Sequence, residues 1–264
     1  MNNIFDSHAH YTDSAFDADR DALLASLPGA GICGVICCGT DIPDSKAAAA
    51  LAERYPYVYA AAGIHPHEAA GAPEDTERVL GELLTCGGCV ALGEIGLDYH
   101  YDFSPREQQL TVFERQLALA VNLDIPVIIH DREAHEDVYR LLKEYKPRGV
   151  VHCFSGSAQS ACELADAGMY IGLGGAVTFK NARKPLEVAA CVPQDRLLVE
   201  TDCPYMTPVP FRGKRCDSTY ISYTACVIAA VRETEPQLLL DLTAKNAYEL
   251  FLKRLSSGKA DDSQ

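Results

Sequence analysis

Short apolar runs bounded by turn residues recur along the whole chain. They are continuous rather than alternating and are rich in Val and Ile, which is typical of strands covered on both faces. The runs span residues 4–8, 34–39, 57–64, 90–95, 126–130, 149–154, 170–174 and 197–202. The pattern therefore predicts eight buried strands.

Segments with helical periodicity lie between these runs. Ser-Pro-Arg-Glu at 104–107 is interpreted as a capping box with proline at the first helical position, which predicts a helix continuing to about Leu123. Another helix is predicted to open at Pro73, and a third over 158–167 to end at Gly168. Buried strands that alternate with helices indicate a parallel sheet of the α/β class.

Eight such repeats allow the sheet to close as a (β/α)8 TIM barrel. The alternative is an open doubly wound sheet, which favours a glycine-rich phosphate loop after the first strand. Here His8-Ala9-His10 stands at that place. No linker rich in Pro, Gly or Ser divides the chain, so we expect one domain over residues 1–255, followed by a flexible tail over 256–264.

Composition narrows the class of protein. Of the 264 residues, 48% are hydrophobic and 23% charged, as in a folded chain with a sizeable core. No apolar run is long enough for a bilayer, and the first residues lack the features of a secretory leader. Together with an odd count of 11 cysteines, this predicts a cytoplasmic protein with free thiols. The C-x-x-C motif at 86–89 has no second pair and is a weak metal or redox candidate.

Charge limits how the chain can meet nucleic acid. With 23 Lys and Arg against 37 Asp and Glu, the net charge is −14, which argues against broad, sequence-independent coating of nucleic acid. An enzyme that handles one phosphodiester locally, with metal ions and a few basic side chains, remains compatible with this charge.

Metal-ligating side chains follow the apolar runs at the ends of five predicted strands. Because the carboxyl ends of barrel strands meet at one mouth, we expect these side chains to converge. Nitrogen and oxygen ligands without a thiolate favour one or two divalent ions such as Zn, Mn or Mg, and two ions that share a carboxylate can ionise water. The candidate metal ligands are His8, His10, Glu94, His130, His152 and Asp202.

A second set of residues is predicted to contact substrate at the same mouth. His65 and His67 end the third strand, and Pro66 favours an extended conformation that directs His65 inward. A purely structural hydrogen-bonding role is the alternative for His65. A solvated loop is the alternative for the basic cluster at 212–215. In a hydrolase of phosphoesters, five basic residues near this mouth would contact phosphate. They are Arg132, Lys180, Arg212, Lys214 and Arg215.

Eight motifs, in order from residue 6 to 215, resemble those of the TatD-type metal-dependent deoxyribonucleases. They read D-S-H-A-H, G-I-H-P-H, G-E-I-G-L-D-Y, I-I-H-D-R-E-A, V-H-C-F-S-G, G-G-A-V-T-F-K, V-E-T-D-C-P-Y and R-G-K-R. The resemblance implies a (β/α)8 hydrolase of the amidohydrolase kind with divalent metal at the barrel mouth. One departure follows R-G-K-R, where Cys216-Asp217-Ser218 replaces the usual Asn-Glu-Pro.

The resemblance also implies two metal positions that share one carboxylate. One position would be held by His8, His10, Glu94 and Asp202, and the other by Glu94, His130 and His152. His65 would face the substrate phosphate. Members of the family act on DNA, often as exonucleases from the 3′ end.

We therefore expect metal-assisted hydrolysis of phosphodiesters at a single-stranded end, since a barrel mouth is too narrow for a duplex. Asp202 would orient or deprotonate the attacking water, while Glu94 and His65 would complete the reacting site. No obligate protein partner is indicated.

Two alternatives remain, because barrels of this fold host many chemistries. One is an amidase, lactonase or phosphotriesterase-like enzyme on the same metals. Many such enzymes bridge the metals with a carbamylated lysine, whereas strand four here ends in Glu94 and the end of strand five has no lysine. The other alternative is a metal-binding barrel without catalytic activity.

Overall fold

The computed structural model describes residues 1–85 and 88–253. In this part of the chain eight parallel strands pair in sequence order to form one sheet. They are β1 Ile4–Ala9, β2 Ile32–Cys38, β3 Val58–Ala62, β4 Cys89–Asp98, β5 Val127–Arg132, β6 Gly149–Val151, β7 Tyr170–Leu173 and β8 Leu197–Val199. Past the end of β8, the Asp202 N–H donates to the His8 carbonyl at 3.0 Å and joins the last strand to the first. The predicted (β/α)8 barrel is confirmed, and the open doubly wound sheet is excluded.

Helices alternate with these strands and cover the outside of the barrel. They are α1 Arg20–Ser26, α2 Ile42–Arg54, α3 Thr76–Thr85, α4 Arg106–Asn122, α5 His135–Tyr145, α6 Ala158–Asp166, α7 Arg183–Cys191, α8 Ile221–Val231 and α9 Pro236–Ala247. None of the helices in the described ranges combines the length and apolar character that a bilayer crossing requires.

The last strands end earlier than the sequence predicts. Strands β6 and β8 contain three residues each, and beyond their ends Cys153 and Asp202 adopt positive φ angles of 42° and 59° that turn the chain away from the extended conformation. These turns lie at the carboxyl ends of the strands, where the chain bends into the mouth of the barrel.

The predicted capping box at the start of α4 is wrong. Pro105 is the N-cap, and the Ser104 hydroxyl makes no capping hydrogen bond. Instead it donates to the His67 carbonyl at 2.7 Å and accepts from the Ala70 N–H at 3.0 Å. Ser104 thereby ties the β4–α4 loop to the segment that follows β3. Helix α3 likewise begins three residues after Pro73, at Thr76.

An apolar plug closes the amino-terminal end of the barrel. It includes Phe5 and Val90 from the starts of two strands, and Leu250 and Phe251 from the helical segment after α9. Asn246 fixes this segment beneath the barrel, since its side chain donates to the Leu197 carbonyl at 2.9 Å. Among the residues that the structure describes, this cluster fills the amino-terminal end of the barrel, and the polar side chains lie at the carboxyl end.

Several expectations lie outside these observations. Cys86 and Gly87 of the C-x-x-C motif and the predicted tail over 256–264 are outside the described residues. The cysteines that are described carry free thiols. A single domain over residues 1–255 stays a prediction.

Candidate metal centre

Glu94 lies at the centre of the polar side chains in the barrel mouth and is only 3% exposed. Its Oε2 is 3.2 Å from His8 Nε2 and 3.4 Å from His10 Nε2. Its Oε1 is 2.7 Å from both His130 Nδ1 and His152 Nε2. Each oxygen of this one carboxylate therefore faces its own pair of imidazoles.

Close pairing of strands β4 and β5, with Gly96 opposite His130, makes this arrangement possible. Gly96, at a φ of 147°, lies against the backbone carbonyl of His130, and any side chain at this position would collide with it. The glycine therefore allows Glu94 and His130 to approach each other from neighbouring strands.

The first pair, His8 and His10, is completed by Asp202. The Nε2 atoms of the two rings are 3.0 Å apart, and Asp202 Oδ1 lies 3.7 Å from the first and 3.5 Å from the second. His10 Nδ1 is 3.0 Å from the Cys38 carbonyl, which only accepts hydrogen bonds. In the neutral ring the proton is thus on Nδ1, and Nε2 directs its lone pair into the site. Facing imidazole nitrogens beside two carboxylates form a donor set that fits a divalent cation.

The second pair, His130 and His152, is oriented by different groups. His130 Nε2 is 3.1 Å from Asp98 Oδ2, so in the neutral ring that carboxylate accepts the Nε2–H and the lone pair on Nδ1 is directed toward the centre. The two facing nitrogens, His130 Nδ1 and His152 Nε2, are 3.3 Å apart. The His152 ring also stacks on His8 at 3.8 Å between centroids, and this contact joins the two pairs.

His65 is placed as a hydrogen-bond donor. Its Nδ1 accepts the His67 backbone N–H at 3.1 Å, which leaves the proton of a neutral ring on Nε2. Burial lowers the pKa of His65 to about 4, so the ring is neutral at physiological pH. His65 Nε2 is 3.5 Å from Glu94 Oε1. His65 lies within the cluster, but its available ring nitrogen carries a proton and has no lone pair for a metal.

Electrostatics in the cluster favour a cation. Burial would raise the pKa of Glu94, but His152 and the other imidazoles around it hold it well below its usual range. Burial alone would lower the pKa of His130, yet Asp98 and Glu94 raise it to about 9. A carboxylate that stays ionised in this buried site requires positive charge beside it, which either a proton or a metal ion supplies.

Asp98 is a functional candidate that the sequence analysis missed. Its buried Oδ2 accepts from His130 Nε2 and lies 3.0 Å from His67 Nε2, while Oδ1 accepts the backbone N–H groups of His100 at 3.0 Å and Tyr101 at 2.8 Å. One carboxylate thus orients His130 and shapes the loop that follows β4. The signal was a second acidic residue in the motif G-E-I-G-L-D-Y.

Glu200 is a second missed carboxylate. It is buried beside His152, with Oε1 3.7 Å from Nδ1 of that ring, and accepts the Cys153 backbone N–H. Burial raises the pKa of Glu200 to about 7. The acidic residue inside the last apolar run, at V-E-T-D, was its signal in the sequence.

The residues predicted to contact substrate are divided between two sides of the mouth. On the first side, His67 bonds to Asp98, and the exposed Arg132 lies over the Tyr101 ring at 4.6 Å. On the second side, three exposed basic residues occupy the loops after β7 and β8. They are Lys180, Arg212 over the Phe179 ring at 4.0 Å, and Lys214 over the Phe211 ring at 5.3 Å.

Arg215 differs from these three. Its guanidinium forms a bidentate pair with Asp19, at 2.6 and 2.7 Å. This pairing joins the loop after β8 to the segment before α1, and the hydrogen-bonding face of Arg215 is directed at a protein carboxylate.

Comparisons with known proteins agree with this arrangement. The sequence profile of the family described as "TatD related DNase" matches residues 5–252. The chain is 42% identical to a Bacillus subtilis protein named uncharacterized metal-dependent hydrolase YabD, over 94% of this chain and 98% of that protein. It is 36% identical to the 3′-5′ ssDNA/RNA exonuclease TatD of Salmonella typhimurium, over 94% of this chain and 98% of that protein. The crystal structure of the TatD homologue YJJV from Escherichia coli superposes on this structure with a TM-score of 0.89 at 33% sequence identity. The match covers 94% of this chain and 98% of that chain.

Proposed function

Since the chain belongs to the family of TatD-related DNases and is a metal-dependent hydrolase acting on ester bonds, we propose that it removes nucleotides from the 3′ end of single-stranded DNA. The observation that carries this proposal is the Glu94 carboxylate, whose two oxygens each face a separate pair of imidazoles. The exonuclease from Salmonella typhimurium, at 36% identity, supports the choice of substrate and polarity.

The donor set fits two divalent cations that share Glu94. Nitrogen and oxygen donors without a thiolate suit Zn, Mn or Mg. When bound, such ions polarise a phosphoryl oxygen and lower the pKa of a coordinated water. We infer that His8, His10, Asp202 and Glu94 would hold one ion, and that His130, His152 and Glu94 would hold the other.

Asp202 and His65 act on the reacting groups. The Asp202 side chain is 19% exposed, so it faces both the first imidazole pair and the open mouth. From this place it orients the attacking water and accepts its proton. The His65 Nε2–H donates to a phosphoryl oxygen as negative charge develops there. Glu94 is too buried to touch the strand and acts by holding the two positions together.

Exposed basic side chains hold the phosphates of the strand. Lys180, Arg212 and Lys214 lie on the loops after β7 and β8, where three local positive charges attract phosphate in spite of the net charge of −14. Arg215 pairs with Asp19 and supports the loop. A cytoplasmic location and the absence of an obligate protein partner stay predictions.

A hydrolysis assay tests the proposal. Metal-stripped protein is supplied with Mg, Mn or Zn and incubated with single-stranded DNA labelled at the 5′ end, and the lengths of the products are followed. We expect stepwise shortening that depends on metal. Glu94→Gln lowers the rate at least about 100-fold, because the neutral amide no longer balances two cations. Glu144→Gln on α5, an exposed carboxylate away from the mouth, is the matched control.

Different failures have different meanings. If the labelled strand first loses its labelled end, the polarity is wrong and the nuclease activity stands. If neither DNA nor RNA is cleaved while a panel of lactones, amides or phosphotriesters is, the enzyme is a small-molecule hydrolase on the same centre. If the protein binds none of the three metals by calorimetry, the ligand assignment is overturned.

A further inference from the structure

Two exposed aromatic side chains, Tyr101 and Phe103, lie on the loop between β4 and α4. We call them the aromatic pair. Tyr101 is 47% exposed and Phe103 is 68% exposed, and their rings stack with 5.2 Å between centroids at an angle of 20°. The two rings form a contiguous apolar patch that stays exposed to solvent in the folded protein, and exposed apolar patches commonly mark a binding site.

The loop that carries the aromatic pair is firmly held. The Asp98 carboxylate accepts the backbone N–H of Tyr101, and Arg106 binds the Asp102 carboxylate through Nε at 2.9 Å and Nη2 at 2.7 Å. Ser104 anchors the far end of the loop to the His67 carbonyl. The backbone that carries the two rings is therefore held in place before any ligand binds. This lowers the entropic cost of binding.

The aromatic pair lies beside the candidate metal centre. The His67 ring contacts Phe103 at 4.7 Å and Tyr101 at 5.5 Å between centroids, and on its other side lies 4.3 Å from His65. One side chain thus separates the aromatic pair from the proposed donor to the phosphoryl oxygen. Tyr101 already contacts both Phe103 and Arg132, so Phe103 offers the larger free face.

We propose that the aromatic pair is a stacking site for a nucleobase within the last two nucleotides of the strand, with Arg132 beside it to contact phosphate. The proposal rests on the proposed function. Every base has a π face, so stacking on an aromatic ring secures a strand without reading its sequence. A strongly acidic protein gains little from long-range attraction to phosphate, and stacking supplies affinity that does not depend on net charge.

Phe103→Ala and a substrate without bases together test the proposal. Two 5′-labelled strands are compared, one complete and one with abasic residues at its last two 3′ positions. For the complete strand, Phe103→Ala raises KM roughly 5- to 150-fold with little change in kcat, as expected for loss of one base–aromatic stack. For the abasic strand the same substitution has little effect, because the wild type has already lost the contact.

Control variants separate stacking from other roles of the side chain. Phe103→Trp keeps a stacking face and retains the wild-type KM, whereas Phe103→Leu is apolar without a π face and behaves like Phe103→Ala. Tyr248→Ala removes a ring that is 46% exposed at the opposite end of the barrel and leaves KM unchanged. Circular dichroism melting establishes that each variant is folded.

Two outcomes overturn the stacking site. An equal rise in KM for both strands shows that Phe103 only supports the loop, and no rise for either shows that no base binds there. If the wild type cleaves neither strand with any metal, the proposed function fails separately. Fluorescence anisotropy then decides the stacking site: a preference for the complete strand that Phe103→Ala abolishes supports it, and the absence of any preference refutes it.

Discussion

The two imidazole pairs of the candidate metal centre share one carboxylate but are supported in different ways. His10 is oriented by a backbone carbonyl, that of Cys38, and the partly exposed Asp202 lies beside the pair that His10 forms with His8. His130 is oriented by a buried side-chain carboxylate, that of Asp98. A backbone carbonyl is neutral, whereas a carboxylate makes the imidazole more basic and a better donor. From this comparison we expect a division of labour, in which Asp98 would strengthen His130 as a metal ligand and Asp202 would lie closer to the reacting water.

The largest expected effect comes from Asp202→Asn. The amide keeps an oxygen donor but accepts no proton, so we expect kcat to fall by about 10²- to 10⁴-fold. Metal content, measured by mass spectrometry of the dialysed protein, changes much less. A loss of metal in proportion to the loss of rate would show that Asp202 is only a ligand, and the proposed division of labour would fail.

Asp98→Asn tests the other position. Losing this carboxylate makes His130 a weaker donor, so we expect a fall of about 10- to 100-fold in the affinity for one of two ions. Metal titration by calorimetry then shows one site unchanged and one weakened. Asp102→Asn, an exposed carboxylate of the same loop, is the control that leaves both sites intact. Equal weakening of both sites would contradict separate support for the two pairs.

The smallest effects distinguish two neighbouring basic residues. Lys214→Ala raises KM for single-stranded DNA and lowers the slope of log affinity against log salt by about 1, because one phosphate contact is lost. Arg215→Ala slightly lowers Tm without changing that slope, since its guanidinium pairs with Asp19. A salt effect of Arg215→Ala as large as that of Lys214→Ala would show that the pair opens to admit a phosphate.

The barrel and the convergence of the polar residues could be predicted from the sequence for one reason. The carboxyl ends of parallel strands meet at one mouth, so residues that follow apolar runs, such as His8, Glu94 and His152, are neighbours wherever they stand in the chain. The alternation of side chains along a strand similarly placed His8 and His10 together.

What the sequence did not reveal depends on contacts between distant segments. Ser104 has the local pattern of a helix cap, yet its hydroxyl bonds the carbonyl of His67, which belongs to another repeat. Arg215 had the character of a phosphate ligand until the structure placed Asp19 beside it. Asp98 and Glu200 were overlooked because nothing in the local sequence distinguishes a carboxylate that would bind a metal from one that lies beside a candidate metal-binding histidine.

The apolar plug beneath the candidate metal centre has a consequence for the path by which substrate would enter and product would leave the barrel. In the described part of the chain, Phe5, Val90 and Phe251 fill the far end of the barrel, so we expect substrate to enter and product to leave through the mouth at the carboxyl ends of the strands. A strand that entered end-first would place its terminal nucleotide deepest, and the freed mononucleotide would lie below the shortened strand. We therefore expect the strand to withdraw after each cut, so that digestion is distributive. With strand in large excess over protein, all chains then shorten together by single steps, whereas a processive enzyme would leave intact and fully digested chains side by side.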